Sequence, residues 1–218
     1  MSEPPLPAYK YEKDPAAIYR QSFSIVRKEA DLSGVPEGLR PVAVRLIHAC
    51  GMTDLPWDLA WSDDVVAAAG SAFRRGAPVF CDVEMVSHGI IRSRLPEQTR
   101  VVCTLNDERV PGLAQQLGTT RSAAAVDLWQ DRLEGAIVAV GNAPTTLFHL
   151  LETVAKGGPK PAVVLGFPVG FVGAAESKEA LIDNPFGIPY LAVKGRRGGS
   201  AMAAAAVNAL AAGLPEES

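Results

Sequence analysis

Between Pro78 and Val193 the chain repeats one theme five times: a short β-rich run, a loop of glycine, proline or small polar residues, then a stretch fit for a helix. The runs are Pro78 to Val83, Arg100 to Leu105, Ala136 to Val140, Ala162 to Leu165 and Tyr190 to Val193. Strands alternating with helices imply right-handed crossovers and a mainly parallel sheet. The runs are almost continuously apolar, as strands covered on both faces must be. The expected fold class is therefore α/β, a single domain with a mainly parallel central sheet flanked by helices. No internal linker or tandem repeat divides the chain, so residues 1–13 are read as a loose arm and 14–218 as the domain.

Ahead of the first strand the pattern is helical. Asp14-Pro15 reads as an N-cap and a first-turn proline, opening a helix to about Asp31 that carries Ile18, Phe23, Ile25 and Val26. A second helix is expected from Glu37 to Cys50, with Val42, Leu46 and Ala49 on one face and Gly51 as its stop. Ser62-Asp63-Asp64 opens a third, which Gly76 closes.

Composition narrows the function classes. A net charge of -3 argues against a general nucleic-acid binder, which needs a basic surface to neutralise phosphates. Cys50, Cys81 and Cys103 are an odd, widely spaced set, poorly suited to a disulfide framework, and no CxxC or Cys/His cluster suggests a metal site. The N-terminal arm lacks the apolar core of a signal peptide. No run approaches the ~18 apolar residues of a spanning helix. A cytoplasmic protein with no membrane partner and no bound metal is the expectation.

In open α/β sheets ligands collect at the carboxyl ends of the strands. Three glycine-rich loops are expected there: Gly141 to Pro144, Gly166 to Gly173 and Gly195 to Gly199. Glycine lets backbone approach a ligand closely, and the helix that follows offers free N–H groups to an anion. Lys178, Lys194, Arg196 and Arg197 lie in or near these loops, so the expected ligand is anionic. Each loop alone is equally consistent with turns and caps. None matches a nucleotide fingerprint, and no GxSxG elbow is present.

Three histidines are candidates for proton transfer. His149 lies in a helical stretch and reads as packing or surface, and His88 follows a strand and fits either packing or a site. His48 falls in the last turn of the second helix, where the macrodipole favours the imidazolium by ~0.3–1 kcal/mol. Position alone leaves it open to a structural role. Arg121 opens a helix, where a cation is disfavoured, which implies an acidic partner, internal or on a ligand. Ser22 is a lone hydroxyl in the first helix.

Seven stretches together resemble the precorrin-8X methylmutase (precorrin isomerase) family of corrin-ring biosynthesis. They are IYRQSFSIVRKEADLS (18–33), RLIHACGM (45–52), GAPVFCDVEMVSHGI (76–90), TTRSAAA (119–125), VGNAPTTLFHLLE (140–152), LGFPVGFVGAAESKEAL (165–181) and VKGRRGGSAMAAAAVNALA (193–211). They run in order over nearly all of the chain after the arm, and Thr53 to Ser62 looks less family-like.

The resemblance implies a parallel α/β fold and a homodimer with the active site near the subunit interface. It implies an isomerase that moves a methyl group from C-11 to C-12 of precorrin-8X, giving hydrogenobyrinic acid, without an organic cofactor. The family's catalytic histidine falls on His48, and its substrate-binding serine and arginine fall on Ser22 and Arg121. From loop position, Thr120, Gly141, Asn142, Gly170, Lys178 and Arg196 are expected to meet the tetrapyrrole's carboxylates. Pro168, Val169 and Phe171 are expected to form an apolar shelf for the ring. Alternatives are a cobalt-precorrin-8 methylmutase, a non-catalytic corrinoid-sequestering protein, and an unrelated α/β enzyme acting on another polycarboxylate.

Overall fold

The computed structural model describes residues 9–212. Residues 1–8 of the expected arm lie outside it; residues 9–14 have no regular structure. Asp14 then accepts a hydrogen bond from the Ala16 N–H at 3.0 Å and starts α1 (Pro15–Glu29), which buries Phe23 and Val26. The expected helix from Glu37 splits in two. Pro41 has no N–H for the Glu37 carbonyl, so the chain first makes a 3₁₀ turn, Glu37–Leu39, and α2 runs Arg40–Cys50. Gly51, at φ 72°, ends α2 in the left-handed conformation that glycine adopts without strain.

A 3₁₀ turn at Leu55–Asp58 leads into β1 (Leu59–Trp61) and α3 (Val65–Arg74). There follow β2 (Val79–Cys81), α4 (Glu84–Gly89), β3 (Val101–Cys103), α5 (Val110–Leu117), α6 (Arg121–Ala124) and α7 (Gln130–Leu133). The chain continues through β4 (Ile137–Val140), α8 (Pro144–Ala155), β5 (Val163–Gly166), α9 (Ala174–Ile182), β6 (Tyr190–Val193) and α10 (Ser200–Ala212). All five expected strands are present and mutually parallel, in the order β6-β5-β4-β2-β3. The sixth, β1, pairs antiparallel with β6 at the edge, Leu59 opposite Val193 and Trp61 opposite Leu191. Its three residues are too few to carry a readable alternation.

Side chains alternate along each strand and feed two apolar layers. Val79, Cys81, Ile137, Ala139, Val163, Leu165, Leu191 and Val193 face α1, α2, α3, α4 and α10. Phe80, Val138, Val140, Val164 and Ala192 face α8, α9 and the turns between Val126 and Leu133. In the second layer Phe80 stacks on Trp129 with ring centroids 5.1 Å apart. On the first, α10 lies across α2, α3 and α4. Its alanines permit that close approach; a Cβ added at Gly89 would sit 2.7 Å from Ala204 Cβ. On α2, Leu46 and Ile47 are fully buried, each worth roughly 1.5–3 kcal/mol of apolar burial. This packing fixes the helix that carries His48.

The strand order sets the site. β2 and β4 are neighbours, and the connections from their carboxyl ends run in opposite directions, to β3 and to β5. The carboxyl edge there is the topological switch point. All three glycine-rich loops follow β4, β5 and β6 at this same edge, as expected. Because β1 runs antiparallel to β6, the segment after α2 reaches that edge too: the Lys194 N–H donates to the Asp58 carbonyl at 2.8 Å.

Candidate active site

His48 lies in the last turn of α2. Its Nδ1 lies 2.8 Å from Ser22 Oγ on α1. One face of the imidazole stacks on Phe23, centroids 4.9 Å apart and planes 17° apart, and Tyr19 packs obliquely at 5.3 Å. Phe23 is buried, so the stack holds the ring against the core while its outer part stays exposed. Nε2 has no hydrogen-bond partner among the described residues. The electrostatics reverse the expectation from helix position. Burial, and secondly the charge of Arg45, hold the imidazole's pKa below its ordinary value.

Arg45 was not picked out from the sequence. It sits one turn before His48 and is 5% exposed. Nη1 donates to Tyr19 Oη at 2.8 Å, and the guanidinium lies over the rings of Phe23 and Tyr19 at 5.6 and 5.9 Å. Nε and Nη2 are buried without an acceptor, as is Nη1 of Arg94. Spacing held a signal: Val42, Arg45, Leu46 and Ala49 fall on one helical stripe, so an arginine was being placed in the buried face.

The loop after β6 is tied down around this end of α2. Arg197 pairs with Asp54 at 2.9 Å and with Asp58, and its Nη1 lies 3.7 Å from Met52 Sδ. Lys178 does not face a ligand, contrary to expectation. It is fully buried, its ammonium donates to the Arg197 carbonyl at 2.6 Å, and burial lowers its pKa to about 8. Gly198 passes so close to the β5–α9 loop that an added Cβ would lie 2.4 and 2.5 Å from the carbonyl oxygens of Phe167 and Pro168. The Gly170 N–H donates to the Arg196 carbonyl at 3.3 Å. Phe171 is 84% exposed with the Arg196 guanidinium 5.3 Å from its ring centre, and Val169 is exposed beside it. Ring and cation thus form one accessible surface, while Pro168 is buried.

At the switch point the anion is internal. Asp82, 1% exposed, follows β2 and accepts from the N–H groups of Gly141, Asn142 and Ala143 at 2.9, 2.8 and 2.8 Å. Burial pushes its carboxyl pKa upward despite the pull of those three donors. The loop N–H groups expected to receive substrate carboxylates at Gly141 and Asn142 are therefore already engaged. Only the exposed side chain of Asn142 faces outward from this loop.

Thr120 caps α6 by accepting from the Ala123 N–H, and its hydroxyl lies 2.8 Å from Thr145 Oγ1. Arg121 is exposed; its Nη2 donates to the Leu105 carbonyl at 2.9 Å and Asn106 Oδ1 at 3.2 Å, both neutral oxygens rather than the acidic group expected. It belongs to the helices on the face of the sheet opposite α1 and α2, so the structure joins Ser22 to His48 but not to Arg121. Of the other histidines, His149 Nε2 meets Asp127 Oδ1 at 2.7 Å, and His88 Nδ1 meets its own helix at Glu84 O.

A doubly wound α/β sheet with a serine–histidine pair near its carboxyl edge defines the class as an α/β enzyme fold. The chain belongs to the precorrin-8X methylmutase family, whose model matches residues 17–212. It is 59% identical over 201 residues to the Precorrin-8X methylmutase of Pseudomonas aeruginosa, covering 92% of this chain and 97% of that one. It is 38% identical over 216 residues to the Cobalt-precorrin-8 methylmutase of Salmonella typhimurium, covering 92% and 96%. Among solved structures, the precorrin-8x methyl mutase of Thermus thermophilus superposes with a TM-score of 0.83 at 38% identity, over 93% of this chain and all of that one.

Proposed function

We propose that the chain isomerises precorrin-8X to hydrogenobyrinic acid, with His48 as the proton donor and acceptor. One observation carries the reading: His48 has Nδ1 on Ser22 and Nε2 uncommitted, at the sheet edge where the open loops gather. In the imidazolium form Nδ1–H donates to the Ser22 hydroxyl and the transferable proton sits on Nε2. That proton serves a pyrrolic nitrogen of the macrocycle. Proton withdrawal of electron density weakens the C-11–methyl bond, the methyl group migrates to C-12 within the ring system, and the proton returns to Nε2. No bond to the protein forms, and the imidazole acts only as acid and base.

The substrate class suits the surface. A tetrapyrrole polycarboxylate offers an apolar face to Phe171 and Val169, and carboxylates to Arg196 and Arg121 by charge-assisted hydrogen bonds. Arg121 and His48 lie on opposite faces of the sheet in one chain. That separation supports a homodimer in which one subunit's Arg121 edge completes the other's His48 site. The metal-free substrate is favoured over the cobalt-bearing one by the identity of 59% against 38% to the relatives so named. Among the described residues no helix is long and apolar enough to cross a membrane, and the three cysteines are free, which supports a cytoplasmic setting.

The test is His48→Ala with precorrin-8X, read by the visible spectrum. The variant is expected to bind hydrogenobyrinic acid and to lose turnover. Undiminished turnover would remove His48 from the mechanism, and wild-type protein with no spectral response to any corrinoid would overturn the reading altogether.

A further inference from the structure

Two arginines beside His48 share an electrostatic problem that the fold leaves unsolved. Arg45 is almost wholly buried, yet no carboxylate pairs with it among the described residues, and the nearby Arg94 guanidinium repels it. Nε and Nη2 of Arg45 and Nη1 of Arg94 are buried without acceptors. A buried guanidinium left this way costs far more than an exposed one, because neither water nor a counter-ion answers its N–H groups. The faces of Tyr19 and Phe23 and the hydroxyl of Tyr19 meet only part of that demand. The same two rings bracket His48, so whatever settles on Arg45 is felt at the imidazole one turn away.

We propose that Arg45 and Arg94 receive one carboxylate of the bound tetrapyrrole, and that its arrival switches His48 to the protonated form. A carboxylate has two oxygens and can accept from both guanidinium groups at once. Its negative charge cancels the field that Arg45 exerts on His48, so the imidazole takes up a proton only when the macrocycle is in place. Arg45 is thus a positioning residue for charge, and the proton donor is armed by substrate rather than by solvent. The groups facing His48 are Arg45 on its own helix, and Tyr19 and Ser22 on α1; Arg94 acts through Arg45. The inference rests on the isomerase reading above and adds to it the order of events.

NMR titration of the His48 ring in the full chain tests this, with and without hydrogenobyrinic acid, in wild type, Arg45→Gln and Arg45→Lys. Without ligand, Arg45→Gln is expected to raise the His48 midpoint, and Arg45→Lys to leave it low. Product is expected to raise the wild-type midpoint by a similar amount and to have little further effect in Arg45→Gln. An unchanged midpoint in Arg45→Gln, or a product-induced rise equal in all three proteins, overturns the proposal. If Arg45→Gln does not fold, Arg94→Gln decides: the product-induced rise must shrink, and an undiminished rise overturns it. A wild type that turns over precorrin-8X without any product-induced rise overturns the coupling alone. A wild type without turnover overturns the isomerase reading, and the ligand-free comparison still decides whether Arg45 governs His48.

Discussion

Ser22 Oγ and His48 Nδ1, 2.8 Å apart, are the contact by which α1 orients the end of α2. The imidazole already stacks on Phe23, so its plane is set by packing; the hydroxyl chooses which nitrogen faces inward and which tautomer prevails. Ser22→Ala removes that choice without opening the core. Net hydrogen-bond energies of roughly 0.5–1.5 kcal/mol predict a twofold to tenfold fall in kcat, with the melting temperature nearly unchanged. Steady-state kinetics beside a thermal melt check it. A variant with wild-type kcat would show that Ser22 has no part in orienting the base.

Asp82 holds the loop after β4 by three backbone N–H groups at once. Asp82→Asn keeps the shape but replaces one acceptor oxygen by an NH₂ group that faces an N–H donor. With the amide oxygen kept on the Asn142 and Ala143 N–H groups, the Gly141 N–H is left unpaired, and a loss of about 1–3 kcal/mol is expected. Urea unfolding of the variant measures it, and a loss under ~0.5 kcal/mol would contradict the anchoring role.

The parallel strands were legible because each is a short apolar run closed by glycine, proline or polar residues, and the helix ends were legible from Asp14, Pro15 and Gly51. β1 was not, because Leu59, Ala60 and Trp61 become a strand only by pairing with β6. Ser22 and His48 were each singled out by family resemblance, but their pairing was not legible, because no spacing rule joins residues 26 apart on different helices. Loop position misled at Gly141, Asn142 and Lys178 for one reason. A glycine-rich edge advertises free N–H groups and cations, and sequence does not show that Asp82 and the Arg197 carbonyl already occupy them. Arg45 was missed because a cation on an apolar stripe was passed over in favour of the histidine beside it.

Gly198 is where the loops after β5 and β6 touch. An alanine there would drive its methyl group into two backbone carbonyls, which cannot turn aside as a flexible side chain can. The two loops must separate, at a cost of about 1–3 kcal/mol for overpacking. Phe171 and Arg196 ride on those loops, so Gly198→Ala is expected to raise KM for the tetrapyrrole more than it lowers kcat. Kinetics and urea unfolding on one preparation test both halves. A fall in kcat at constant KM would place the effect at His48 instead.

Lys178 predicts an alkaline signature. Its folded pKa of about 8 lies below the ordinary 10.5, so between those values the unfolded chain binds more protons than the folded one. Stability must then rise with pH across that window, since the folded state is relieved of a buried ammonium that the unfolded state never had to bury. The rise attributable to this residue is on the order of 2–3 kcal/mol, all of it above the folded pKa. Other lysines, tyrosines and thiols titrate in the same range, so the comparison is with Lys178→Met, which fills the same space without a charge. The wild-type unfolding free energy minus that of Lys178→Met should climb from about pH 8 to pH 10. Parallel curves would mean that the ammonium in the folded protein is as well served by the Arg197 carbonyl as by water.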